Sequence, residues 1–245
     1  MRAGIAILVA AGMVVASPAR AQGQVTELRP PHRIRWYEAA AAAAGVTVLM
    51  LVDEPMQRAV QGSRSPTTDD LAGVFRRVGQ PEVFGTVSVG LVGFGLLRDR
   101  PQLTRAGGRL VGSLAVAGAW SFTMKKAVGR ARPSADLGAF VFRPFTRNES
   151  LPSGHTVMAF ALATSLSDEL NRGWLTVGLY SLAAGTALSR MNDNRHWVSD
   201  VALGALIGTT SAKLVSGRWR VFGLTPPRFL VDPDGGAAIG WQHVF

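Results

Sequence analysis

The chain has 245 residues, of which 47% are hydrophobic and 17% charged, with a net charge of +10 and no cysteine. That length allows one domain of ordinary size with short appendages, and the lack of thiols excludes a disulfide framework or a thiolate metal site. The positive balance favours anionic partners such as phosphates or acidic lipid surfaces, while the absence of aromatic-basic interleaving or zinc-finger spacing excludes nucleic acid as a natural partner.

Residues 1–21 read as a secretory signal peptide, with Arg2 as the positive start, Ile5 to Val15 as the apolar run and Ala19-Arg20-Ala21 as the cleavage pattern. The uncharged stretch 3–19 is short for a permanent anchor. Cleavage is therefore expected, with a mature chain beginning near Gln22 and exported to the cell envelope. A polar lead (22–36) precedes a first apolar segment, 39–52, which Asp53-Glu54-Pro55 is expected to stop. Residues 62–70 read as a loop whose end caps a short helix from Leu71.

Further apolar segments follow at 83–97, 110–124, 156–167, 173–189 and 201–212. Their lengths suit helices, and period-two alternation is absent. The connection 98–109, with four arginines and one aspartate, suits a cytoplasmic loop. Beyond Arg220, two short stretches (228–231 and 237–245) flanking Asp232-Pro233-Asp234-Gly235-Gly236 read as a small hairpin. The expected fold is all-α, a bundle of about six helices with a short C-terminal β-hairpin.

No uncharged segment reaches the roughly 20 residues that a membrane span needs. Against that, charges at segment ends shorten the count, and Trp36, Trp120, Trp174 and Trp219 lie near segment ends as interface anchors do. Membrane embedding and a soluble bundle both remain open on these grounds, with the anchors on the side of embedding.

Three blocks carry the chemistry: KKAVGRARP at 125–133, PSGH at 152–155 and SRMNDNRHWVSD at 189–200. His196 and Asp200 are four apart, so on a helix they share a face. A carboxylate there accepts the Nδ1 proton and leaves Nε2 as a nucleophile. Ser153 is a natural N-cap for the next helix, and Gly154 lets an oxyanion approach the free N–H groups of its first turn. His155 in that turn is placed to protonate a leaving oxygen. Lys125, Arg132 and Arg190 supply charge for three phosphoryl oxygens. Ser189 donates to the same anion or ends a helix, and Lys126, Arg130, Arg143 and Arg147 read as plain interfacial cations or as attractors of acidic substrates. His32 and His243 stand outside every block.

At these residues the chain resembles the type 2 phosphatidic acid phosphatase (PAP2) superfamily, which includes class A acid phosphatases and vanadium haloperoxidases. The resemblance covers about residues 110–212. It implies an antiparallel helical bundle with the site at one end. Together with the leader and hairpin read above, the expected domain plan is leader (1–21), lead and first helix (22–70), PAP2-like catalytic domain (71–220) and hairpin tail (221–245). It further implies His196 as the nucleophile, Asp200 as its orienting partner and His155 as general acid. Lys125, Arg132, Ser153, Gly154 and Arg190 would hold the phosphate, with Pro133, Pro152 and Ser189 in support. The implied reaction is metal-independent hydrolysis of a phosphomonoester or pyrophosphate end group through a phosphohistidine, without a cofactor. The expected substrate is a phosphorylated lipid at the inner membrane, with the site facing the periplasm. A soluble periplasmic phosphatase of small phosphate esters is the alternative, ahead of a vanadate-loaded haloperoxidase or a non-catalytic anion-binding module.

Overall fold

A computed structural model describes residues 31–221 and two further strands, 228–231 and 237–240. The leader read over 1–21 lies outside the described residues. Strand β1 (His32–Ile34) leads into helix α1 (Trp36–Leu51), and the chain then bends by 56° into α2 (Asp53–Gly62). Next come α3 (Pro66–Val78), α4 (Pro81–Leu97), α5 (Pro101–Val128), α6 (Gly154–Leu170), α7 (Gly173–Asn192) and α8 (Val198–Val215). Strand β2 (Trp219–Val221) pairs in parallel with β1. Strands β3 (Arg228–Val231) and β4 (Ala237–Gly240) form the expected antiparallel hairpin, with Arg228 opposite Gly240 and Val231 opposite Ala237.

The six expected long helices form, the short helix expected from Leu71 forms as α3, and α2 is one that was not expected. Asp53-Glu54-Pro55, which reads as a stop, is the first turn of α2. A proline there loses no hydrogen bond, because first-turn N–H groups have no partner within the helix. The two carboxylates also suit the positive end of the helix dipole. Helix α3 starts earlier than Leu71 because Ser65 is its N-cap: its Oγ accepts from Thr68 N at 3.2 Å, and Pro66 takes the first helical position. Likewise α5 begins at Pro101, so the basic stretch 98–109 is mostly helix. There Arg109 pairs with Glu169 of α6.

Helices α5 to α8 form the inner bundle, with α4 against α5 and α3 against α7. Its core is built largely from small residues: Ala117, Val157 and Ala161 form one buried cluster, and Ala159, Ala163 and Ala183 form another with Phe84 of α4. Small side chains let helix backbones approach closely. At Gly208 of α8 a Cβ would sit 2.2 Å from the Val157 carbonyl oxygen of α6. The apolar bulk instead faces outward, with Val89, Leu97, Trp120, Phe122, Trp174 and Val177 all exposed. Among the described residues, helix α8 alone is long and apolar enough to cross a membrane, or three stretches if the bent pairs α1–α2 and α3–α4 each count as one.

Helix α5 ends at Gly129, which has φ +59°. A Cβ there would lie 1.8 Å from the Arg143 carbonyl oxygen, so glycine is required on both backbone and steric grounds. The substitution Gly129→Ala is expected to destabilise the fold by at least about 2 kcal/mol. The check is a lowered thermal-unfolding midpoint for the purified variant.

Candidate active site

Four helix ends meet at one end of the inner bundle. The last turn of α5 carries Lys125 and that of α7 carries Arg190. Helix α6 starts at Gly154 followed by His155, and the first turn of α8 holds Asp200. The connection 129–153 returns to the same end through a 3-10 turn at Pro133–Ala135, preceded by Arg132. A pocket of about 520 Å³ opens between these ends. Lys125, Arg132, Gly154, His155, Arg190 and His196 line it, joined by Arg64, Arg76, Glu149, Asp193 and Arg195. Ser153, Asp200, Ser189, Pro133 and Pro152 do not line it; all five are buried behind its wall.

His196 sits in the segment before α8 rather than on the helix, so the shared helical face expected for His196 and Asp200 does not form. Its Nδ1 lies 2.7 Å from the Ser150 carbonyl oxygen, whereas the nearest Asp200 oxygen is at 3.8 Å. A carbonyl can only accept, so Nδ1 carries the proton and Nε2 keeps its lone pair. Asp200 fixes the histidine from both sides instead. Its Oδ2 accepts from Ser150 Oγ at 2.5 Å and from the Trp197 N–H at 2.9 Å. Burial pushes the His196 imidazole below the ordinary histidine range, and the nearby Asp200 opposes that shift only in part.

Behind Asp200 lies a group that sequence reasoning missed. Arg130 is fully buried, and each of its guanidinium nitrogens has a partner. Nε donates to Ala139 O at 2.9 Å, Nη1 to Asp200 Oδ1 and Ser199 Oγ at 2.7 Å each, and Nη2 to Asp53 Oδ2 at 2.6 Å. Asp53 in turn accepts from the Ser199 N–H at 2.9 Å and Ser199 Oγ at 2.5 Å. One turn along α2, Gln57 Nε2 donates to Met191 O and Asn194 Oδ1 at 2.9 and 2.8 Å. Helix α2 therefore grips both sides of the segment that carries His196. The only local signal was the position of Arg130 inside the first block; nothing in its neighbours foretells burial.

The cations are held in distinct ways. Lys125 Nζ donates to Glu149 O at 2.6 Å, and Arg190 Nη1 to Asp193 Oδ2 at 2.8 Å. The Arg190 Nε is buried and has no hydrogen-bond partner among the described residues. Burial and nearby Arg132 pull Lys125 down to about 8. Burial, with Arg190, His196 and Lys125 around it, holds His155 at about 4. A phosphoryl dianion among those cations would offset their repulsion and favour the protonated imidazole.

Two supporting residues differ from expectation. Ser153 occupies the N-cap position of α6, but its Oγ accepts from Thr156 Oγ1 at 3.0 Å rather than from a backbone N–H. The first-turn N–H groups thus remain without an intrahelical partner, the arrangement that suits an anion. Ser189 neither ends α7 nor reaches the pocket; its Oγ donates to Thr186 O at 2.7 Å. Among the described residues, no cluster of three or more His, Asp or Glu side chains is arranged to hold a metal ion.

Residues 106–221 match the family model described as the PAP2 superfamily. Over 112 residues the chain is 38% identical to a Porphyromonas gingivalis protein described as lipid A 1-phosphatase, covering 45% of this chain and 21% of that one. A Rhizobium etli protein of the same description is 31% identical over 159 residues, covering 60% of this chain and 66% of that one. The chain thus spans about a fifth of the first relative's length and just under two thirds of the second's. The fold is similar to the crystal structure described as the first transmembrane PAP2 type phosphatidylglycerolphosphate phosphatase from Bacillus subtilis. The TM-score is 0.59 and identity 21%, covering 74% of this chain and 95% of that one.

Because Arg130 balances two buried carboxylates, Arg130→Met is expected to destabilise the protein by about 3–5 kcal/mol, the usual result of removing one partner of a buried ion pair. Gln57→Ala, which breaks hydrogen bonds but strands no charge, should cost about 1–3 kcal/mol. Denaturant or thermal unfolding of the two variants side by side checks the order.

Proposed function

We propose that this protein is a metal-independent phosphatase of the cell envelope that removes a terminal phosphoryl group from a phosphorylated lipid through a phosphohistidine on His196. One observation carries the reading. The Nδ1–H of His196 is held on the Ser150 carbonyl, which leaves a lone pair on Nε2 at a pocket that Lys125, Arg132 and Arg190 make strongly positive. The lipid part of the reading draws on two relatives described as lipid A 1-phosphatases and on the apolar side chains exposed around the bundle. The leader expected over 1–21 supports a site facing the periplasm.

In this mechanism Lys125, Arg132 and Arg190 bind the phosphoryl oxygens together with the first-turn N–H groups of α6, and stabilise the charge that spreads over them. The lone pair of Nε2 attacks phosphorus. As the P–N bond forms, the P–O bond to the leaving group breaks, and His155 passes its proton to the departing oxygen. The imidazole retains its Nδ1 proton, and Asp200 at 3.8 Å offsets the positive charge that the ring acquires. Water then attacks phosphorus and gives its proton to His155, while the P–N electrons return to Nε2. Phosphate leaves, and both histidines are restored.

Three outcomes are expected. His196→Ala should lower phosphate release from phosphorylated lipid in detergent by at least about a thousandfold, and a base-stable, acid-labile phosphoryl label should form on the wild-type protein only. Excess chelator should leave the wild-type rate unchanged. The third concerns pH. His196 must be neutral to attack, and burial lowers its pKa, so its neutral form persists into mild acid. The acid limb of kcat/KM should therefore have its midpoint below about 6.5, the ordinary histidine value.

A further inference from the structure

The pocket holds more positive charge than one phosphoryl group requires. Six arginine or lysine side chains line it against two carboxylates, Glu149 and Asp193. Lys125, Arg132 and Arg190 belong to the three sequence blocks; Arg64, Arg76 and Arg195 have no part in the phosphoryl-transfer steps. Asp69 lies behind Arg64, bound to its Nε and Nη2 at 2.9 and 3.0 Å. Even with that carboxylate counted, a phosphomonoester dianion leaves the pocket positive.

We infer that Arg76 and Arg195, with Arg64 at the rim, form a second oxyanion subsite for an anionic group on the leaving half of the substrate. The inference rests on the phosphatase reading and deepens it. Asp193 Oδ2 binds Arg190 Nη1 at 2.8 Å and Arg76 Nη1 at 3.1 Å. One carboxylate oxygen thus joins a cation of the scissile phosphoryl site to a cation of the second subsite, which makes the two anion positions neighbours. Arg195 is exposed and forms no ion pair among the described residues, so its donors are free for a ligand. Its backbone N–H bonds to Arg190 O at 3.1 Å, which keeps it beside the first site. Arg64 and Arg76 come from the α2–α3 region, outside the residues that match the PAP2 family model. The chemistry that fits is a leaving group bearing its own oxyanion next to the scissile bond, as the inner phosphoryl group of a diphosphate ester does. Arginine suits such a site because its planar fork binds oxyanions in pairs of hydrogen bonds.

The test uses the full-length purified protein in detergent with two soluble probes, inorganic phosphate and the uncleavable methylenediphosphonate, in calorimetric titrations. The wild type is expected to bind the diphosphonate at least about tenfold more tightly than phosphate, the weight of one charge-assisted hydrogen bond. In Arg76→Ala/Arg195→Ala that gap should close to within about threefold, and the selectivity ratio of kcat/KM for a lipid diphosphate over the matching lipid monophosphate should fall about tenfold. Arg76 also holds Asp193, so Arg195→Gln alone serves as the second variant; it touches no ion pair and should lower the same ratio about threefold. Equal wild-type affinity for the two probes, or ratios unchanged in both variants, would overturn the subsite. Diphosphonate preference that the variants lose, with neither lipid turned over by the wild type, would keep the subsite and remove the phosphatase reading. Turnover with unchanged ratios would do the reverse.

Discussion

Burying a guanidinium group costs several kcal/mol unless its donors are matched, and Arg130 is matched only where three distant parts of the chain come together. Asp53 reaches it from α2, and Asp200 and Ser199 from the start of α8. If any of the three moves, a charge is left in the interior without its partner. The same arrangement holds the site: Asp200 uses one oxygen on Arg130 and the other on Ser150 and the Trp197 N–H, the two groups that flank His196. The imidazole is thus oriented by a charge network that it does not itself join.

That network resolves a conflict at the pocket. A site for a phosphoryl dianion needs several cations close together, and they repel one another when it is empty. Burial, and after it that repulsion, hold the pKa of His155 low. Two carboxylates in the pocket wall, Asp193 on Arg190 and Glu149 on Lys126, limit the repulsion without filling the pocket. The helix ends add to the field at no cost in charge: α6 and α8 point their N-termini to this end, where partial positive charge favours an anion and a carboxylate respectively.

The packing of the bundle serves the same end. Small residues bring α6 and α8 close enough that Gly208 of one nearly touches the backbone of the other. Their N-terminal turns, carrying His155 and Asp200, are therefore set against each other rigidly. Because alanine, glycine and serine fill so much of the inside, the bulky apolar side chains lie on the outside. In water such a surface is a liability, whereas against hydrocarbon it is an ordinary helix exterior.

By itself, the sequence determined the six long helices, the terminal hairpin and six of the residues that line the pocket, because apolar runs and three spaced blocks are local patterns. The end groups that Lys125, Arg132, His155, Arg190 and His196 present were legible for that reason. Helices α2 and α3 were misread where their first turns carry proline and acidic residues, which stop one helix or start another according to the residues next to them. Only the tertiary structure decided the layer behind the site. Ser150, Asp53 and Arg130 are polar residues of a kind usually found at the surface, and their roles arise from partners 46 to 146 positions away along the chain. No local pattern encodes such a partnership, because burial and charge matching are properties of the folded interior.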